Sequence, residues 1–347
     1  MSIKSETFGK TAKGEIVTKW TVTNIHGNSI SVLDWGCLIQ SIKIKDKHKN
    51  IRDVVMGFDQ PEDYEKAGGF IGATIGRCAN RIVGGKFALE GEQYHLFCNE
   101  GKNHLHGGKE GFHKKMWSCI PNQEENQLRL SYMSPDGEEG YPGNLWVTIT
   151  LTWTENNELI FETSAISDKT TVFNPTNHSY FDLNGEFTEE SACEQLFWSC
   201  ARFYTPVDEH GIVNGELRAV KNTVFNFHEF HDFKSRLEEE NLQLKSVGGF
   251  DHNLVFDCRN RIKAILKTKD DSFKMEFETD SPGIQLYSGN YLRNSVGKGK
   301  KSYGKRSGIC IEPQYFPNSI NMPQFASPVL IKEHLRRQKT IYRFIVN

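Results

Sequence analysis

Between residues 145 and 154, hydrophobic and polar positions alternate. Leu145, Val147, Ile149, Leu151 and Trp153 fall on one side, and Trp146, Thr148, Thr150, Thr152 and Thr154 on the other. A period of two is that of a strand with one face against a core. Asn156-Asn157 then predicts a turn, and residues 159–166 the return strand of a hairpin. The pattern recurs at residues 262–268 and 273–278 around Asp270-Asp271, with Phe273, Met275 and Phe277 facing one way. Residues 30–35, 38–44, 86–89, 127–133, 283–287 and 340–346 read as further strands. Helical periodicity is confined to residues 61–66 and 233–242, the second ending in the solvent-facing run Glu238 to Glu240.

Many short strands, frequent turn signals and little helix predict an all-β fold, a large antiparallel β-sandwich. No composition step, linker or repeat divides the chain, so residues 1–347 are expected to form one domain. Composition adds limits. With 42 Lys+Arg against 44 Asp+Glu, the net charge of −2 lacks the positive excess of a nucleic-acid binder. No apolar run is long enough to span a bilayer, and the first residues carry no hydrophobic leader, which predicts a cytoplasmic protein. The eight cysteines, Cys37, Cys78, Cys98, Cys119, Cys193, Cys200, Cys258 and Cys310, include no C-x-x-C pair and read as reduced thiols. Lys298, Lys300, Lys301, Lys305 and Arg306 lie among Gly and Ser without the context of a phosphate loop, and read as a solvated loop.

Against this background, six segments are polar and rich in His, Asn and Gly: residues 76–81, 103–108, 174–181, 249–253, 283–287 and 310–314. Polar groups set into core-like strands need partners when buried, and six such segments favour one shared site. His104-x-His106 with Glu110 matches the centre of the cupin metal motif, but the flanking glycines and the second motif element are missing, so no metal is expected. His104 reads as a structural histidine, and His106, beside Gly107-Gly108, as a site residue. Asp136 to Gly140 reads as an acidic turn with too few ligands for calcium. Glu312 emerges from the apolar Ile309-Cys310-Ile311. Burial there raises a carboxyl pKa toward that of a base working near neutral pH. Asp251 reads equally as a helix cap or a substrate anchor, and Arg81 as a cation presented beside a Gly-rich turn.

Taken together, these segments resemble the aldose 1-epimerase (galactose mutarotase) family. The matching motifs are Gly-Arg-x-Ala-Asn-Arg-Ile (76–82), Asn-His-Leu-His-Gly-Gly (103–108), Ser-Pro-Asp-Gly-Glu-Glu-Gly-Tyr-Pro-Gly (134–143), Asn-Pro-Thr-Asn-His-Ser-Tyr-Phe (174–181), Phe-Asp-His-Asn (250–253), Gly-Ile-Gln-Leu-Tyr-Ser-Gly-Asn (283–290) and Glu-Pro-Gln (312–314). They come in family order. The resemblance implies a β-supersandwich and interconversion of the anomers of a free hexose, with no cofactor and no metal. It implies Glu312 as general base, His178 as general acid, and Asn80, Arg81, His106, Asp251 and Gln285 as substrate-binding groups. The two catalytic side chains are expected on either side of one pyranose, with Glu312 as the anion that keeps His178 protonated. The implied partner is a small-molecule sugar, with no nucleic acid and no membrane, and the implied state a monomer or weak homodimer. Asp182 (in place of Asn), Cys78 and the basic loop depart from the family pattern without touching an expected catalytic position.

Overall fold

In the computed structural model, which describes residues 1–256 and 259–347, the alternating segment becomes strand Leu145–Trp153 and all five of its apolar positions are buried. It pairs with Glu158–Ser167 as the predicted hairpin, closed by Asn157 in the left-handed region. Among the described residues this hairpin lies inside a nine-stranded antiparallel sheet. The sheet also holds Gln127–Ser134, Arg336–Val346, Phe273–Thr279 and Ile262–Lys267. A five-stranded meander covers the N-terminal region from Ser2–Lys10 to Ile51–Asp53. A six-stranded sheet is ordered Tyr180–Phe181, Ile309–Gln314, Gly283–Tyr287, Asp251–Val255, Phe203–Tyr204 and Arg218–Ala219.

One hydrophobic core joins all three sheets, with Ile30 and Ile42 from the meander, Val147, Leu151 and Phe277 from the large sheet, and Leu254, Leu286 and Ile311 from the six-stranded one. Face-to-face packing of period-two strands is what the alternation predicted. Strands Ser2–Lys10 and Ile16–Thr23 escape sequence reading because neither shows a clean buried face.

The described helices are short. Pro61–Ala67 begins with Pro at its first turn and Glu62 and Asp63 beside the positive helix end. The predicted helix over residues 233–242 instead splits into Phe233–Glu238 and Leu242–Ser246. Asn241 accepts from the backbone N–H groups of Gln243 and Leu244, and this new N-cap ends the first helix early. None of the described helices is long and apolar enough to cross a membrane. Cys37, Cys78, Cys98, Cys119, Cys193 and Cys310 are free thiols, whereas Cys258 lies outside the described residues.

One buried cation ties two of the conserved-looking polar motifs together. Arg77, 2% exposed, donates from Nε to Ser134 Oγ at 2.8 Å and from Nη1 to the Pro142 carbonyl at 2.9 Å. Its Nη2 donates to the carbonyls of Ser134, Pro135 and Gly143, each at 2.9 Å. Burial pulls its pKa down to about 10, which still leaves a cation at neutral pH. The acidic turn it holds reaches onward, because Glu139 accepts from the backbone N–H groups of Lys109 and Glu110, just past His106. Arg77→Ala strands several buried carbonyls at about 1–3 kcal/mol each. A loss of at least about 3 kcal/mol in urea unfolding is expected; an unchanged midpoint would show that these bonds add nothing.

Candidate active site

The six-stranded sheet has two unlike faces. Ile311 and Ile309, Ile284 and Leu286, and Leu254 point into the core. Alternation then sends Cys310 and Glu312, Gln285 and Tyr287, and Asp251 to the other side. Register puts them in rows, with Gln285 opposite Glu312, and Tyr287 between Asp251 and Cys310. Above this polar face opens a cavity of about 460 Å³ lined by Asn80, Arg81, His106, His178, Asp251, Gln285 and Glu312 among others. All seven residues singled out from the sequence therefore meet in one place.

His178 is placed by its backbone. Its N–H donates to the Ala73 carbonyl and its carbonyl accepts from Gly72 N–H, both at 2.9 Å. Neighbouring Asn177 adds a bond from Nδ2 to the Gly72 carbonyl and accepts from Ser179. The Asn-rich run is thus a brace for one imidazole. The rings of Phe70 and Tyr180 flank it, with centroids at 6.0 and 5.0 Å. His178 Nε2 lies 3.7 Å from Glu312 Oε1. The two stand side by side on one wall, where a pyranose-sized gap between them was expected.

Their protonation also differs from expectation. Burial holds the imidazole down to about 4, and burial together with Asp251 pushes the Glu312 carboxyl well above the usual carboxylate range. Desolvation outweighs the attraction between them. Burial thus favours the neutral imidazole and the protonated carboxyl, the arrangement with one transferable proton for the pair. Glu312 Oε2 is buried and has no protein partner, and the same is true of Gln285 Oε1. Such atoms are costly unless a ligand or water meets them.

The remaining groups are interlocked. Gln285 Nε2 donates to Asp251 Oδ1 at 2.7 Å. Arg81 grips Glu100 with two bonds, Nε to Oε2 at 2.7 Å and Nη2 to Oε1 at 2.6 Å. Asn80 and His106 both have left-handed backbones, and each anchors the other: His106 N–H donates to the Asn80 carbonyl, and Asn80 N–H to His106 Nδ1. That bond leaves Nε2 as the ring's donor. Gly107 must be glycine, since a Cβ there would overlap the Gly76 carbonyl. Asp251 begins a strand and caps no helix, which removes the cap reading of this residue.

His104 is structural. Its Nδ1 meets the Phe97 carbonyl and its Nε2 the Tyr141 hydroxyl, both at 2.7 Å, while Glu110 pairs with Lys13 at 2.9 Å. The cupin-like trio is therefore committed elsewhere. Among the described residues, donor atoms of His178, Cys310 and Glu312 lie within 4.8 Å of one another. The thiol lies nearest Nδ1 of the ring, at 3.5 Å, and the carboxylate nearest Nε2, at 3.7 Å. The basic loop is not simply solvated: Lys298 is bonded to Asp53 and the Gln40 carbonyl, and Arg306 to Glu189. None of its cations lines the cavity. Sequence reading missed Glu100, Tyr287, Phe70 and Cys310 in or beside the site. Tyr287 and Cys310 fall within the polar segments 283–287 and 310–314, and Glu100 is a lone acid in a polar run, whereas Phe70 carried no signal.

A family model described as Aldose 1-epimerase matches residues 18–343. Galactose mutarotase of Bos taurus is 38% identical over 308 residues, covering 87% of this chain and 86% of the relative. Aldose 1-epimerase of Escherichia coli (strain K12) is 32% identical over 327 residues, 93% of each chain. The solved structure of galactose 1-epimerase from Lactobacillus acidophilus NCFM is similar with a TM-score of 0.87 at 26% identity, over 100% of this chain and 99% of its own.

In the ligand-free protein, ¹⁵N-edited NMR is expected to show His178 neutral throughout the physiological range, with its midpoint near about 4. A midpoint at or above the ordinary histidine value would mean that the Glu312 anion, and not burial, governs the pair.

Proposed function

The chain belongs to the aldose 1-epimerase family and is an aldose 1-epimerase, an isomerase; on that premise we propose that it interconverts the α and β anomers of free hexoses, D-galactose and D-glucose, with Glu312 as general base and His178 as general acid. The observation that carries this reading is the 3.7 Å contact of His178 Nε2 with Glu312 Oε1 at the wall of the cavity. In a pyranose the C1 hydroxyl and the ring oxygen are bonded to the same carbon. An acid and a base standing side by side can address both at once.

The steps follow from the shared proton. Hydroxyls of the bound sugar hydrogen-bond to the Glu312 carboxylate and favour its charged form, so the proton sits on His178. Glu312 takes the proton from the C1 hydroxyl, His178 gives its proton to the ring oxygen, and the C1–O5 bond breaks to leave an open-chain aldehyde. Rotation about C1–C2 turns the other carbonyl face to the C5 hydroxyl. Closure returns that proton to His178 and the Glu312 proton to O1. Electrons and protons balance with no redox change. Each well-placed acid or base is worth roughly 10²–10⁴ in rate.

The polar groups around the pair supply selectivity. Asp251, Gln285, Arg81, Asn80 and His106 offer donors and acceptors in fixed directions, and an epimer that leaves one unpaired is penalised. The bonds that tie Lys298 and Arg306 into the protein support an unphosphorylated sugar.

Polarimetry on freshly dissolved α-D-galactose is expected to show faster approach to equilibrium. Glu312→Gln and His178→Asn should each lose about 10²-fold or more while remaining folded; near-full activity in either variant removes its assigned role. Because the pair works with one proton, activity should fall in acid as His178 takes up a second near about 4, and in alkali as Glu312 loses its own. Glu100→Gln releases one side of the Arg81 grip. A KM raised about tenfold with kcat nearly unchanged is the expected signature of lost ground-state positioning; a fall in kcat alone would contradict it.

A further inference from the structure

The mechanism leaves one buried group beside the catalytic imidazole unused. Cys310 stands two residues before Glu312 on strand Ile309–Gln314, so both side chains leave the sheet on the same face. Cys310 Sγ lies 3.5 Å from His178 Nδ1 and Glu312 Oε1 lies 3.7 Å from Nε2, so the same strand brings a group to each ring nitrogen, the sulfur and a Glu312 oxygen lying within 4.8 Å of each other. One strand therefore holds the imidazole at both nitrogens. The ring has little freedom to turn, since its backbone is bonded on both sides and Phe70 and Tyr180 flank its faces.

A neutral imidazole carries its proton on one nitrogen only, and the partner of the other decides which. If the proton sat on Nε2, the ring could not accept from Glu312, and the single proton of the pair could not pass between them. If it sits on Nδ1, Nε2 is free to take and give. We propose that Cys310 is a positioning residue that accepts a hydrogen bond from His178 Nδ1–H, fixing the tautomer in which Nε2 exchanges the catalytic proton with Glu312 and the sugar. This rests on the reading of Glu312 and His178 as the proton-transfer pair.

The choice of a thiol has a consequence. Acid/base histidines are commonly oriented by a carboxylate at the second nitrogen, which adds a negative charge and stabilises the imidazolium. Burial keeps the Cys310 thiol protonated, well above the ordinary range. The sulfur thus orients the ring as a weak, uncharged acceptor. Imidazolium stability is then left to the substrate and Glu312, so the acid forms when sugar is bound and gives up its proton readily.

The test reads the tautomer directly. In ¹⁵N spectra of the ligand-free protein, His178 is expected to show a protonated Nδ1 and an unprotonated Nε2. Cys310→Ala should give a mixture of tautomers, a kcat lowered about tenfold at unchanged KM, and an acid limb of kcat displaced to lower pH, because the imidazolium loses an acceptor. Cys310→Ser, which keeps an acceptor in place, should restore most of the rate and the Nδ1–H form. The other titratable groups facing the ring (Glu312, Asp251, His106, His113, Tyr180 and Tyr287) are unchanged in both variants, so the displacement reports on the sulfur. A wild-type His178 protonated at Nε2, or a Cys310→Ala enzyme with an unmoved tautomer and acid limb, overturns the proposal. Full activity in His178→Asn would instead overturn the reading of the pair itself, whatever the tautomer.

Discussion

Removal of the Glu312 carboxyl from water is the constraint on which the site depends. Stripping a carboxylate of its hydration costs several kcal/mol, and no protein group hydrogen-bonds to Oε2 in return. The group responds by keeping a proton that an exposed glutamate would give up. Its neighbour His178 responds to the same burial by refusing one. Burial disfavours the charged form of both groups, and hydrogen bonds to the charged form of either would offset that penalty. Poised chemistry of this kind needs a dry and rigid wall.

The six-stranded sheet provides that wall by dividing its residues between faces. On Ile309–Gln314 the odd positions Ile309 and Ile311 fill the core, and the even positions leave on the other face, where Glu312 lines the cavity and Cys310 is buried beside His178. The neighbouring strands repeat the division with Ile284 and Leu286 against Gln285 and Tyr287. Each cavity-facing side chain of these strands is therefore held by an apolar neighbour packed on the opposite face. Moving it would require disturbing the core shared by three sheets.

Loops supply the other half of the site, and they are fixed by buried polar bonds. Arg77 holds the acidic turn, Glu139 in that turn holds the segment after His106, and His106 and Asn80 anchor each other. Asn177 and the backbone of His178 are fastened to Gly72 and Ala73. The polar motifs of the sequence are mostly such braces: of Asn-His-Leu-His-Gly-Gly, Leu105 and His106 line the cavity, and His104 serves Tyr141 and Phe97.

By itself the sequence determined the sandwich class, because period-two alternation in segments such as residues 145–154 has only one way to bury its apolar side. Its polar segments, taken together with the family they resemble, also pointed to seven of the residues that line the cavity. The strands near the N-terminus stayed hidden, having no clean face, and Asn241 divided a helix that periodicity had joined. Only the tertiary structure decided that Glu312 and His178 stand beside each other, that Arg81 is gripped by Glu100, and that Cys310 lies against the His178 ring. Those facts depend on which strands become neighbours and in what register. Spacing along the chain carries no information on it, since residues 310 and 178 meet through loops and sheets that fold between them.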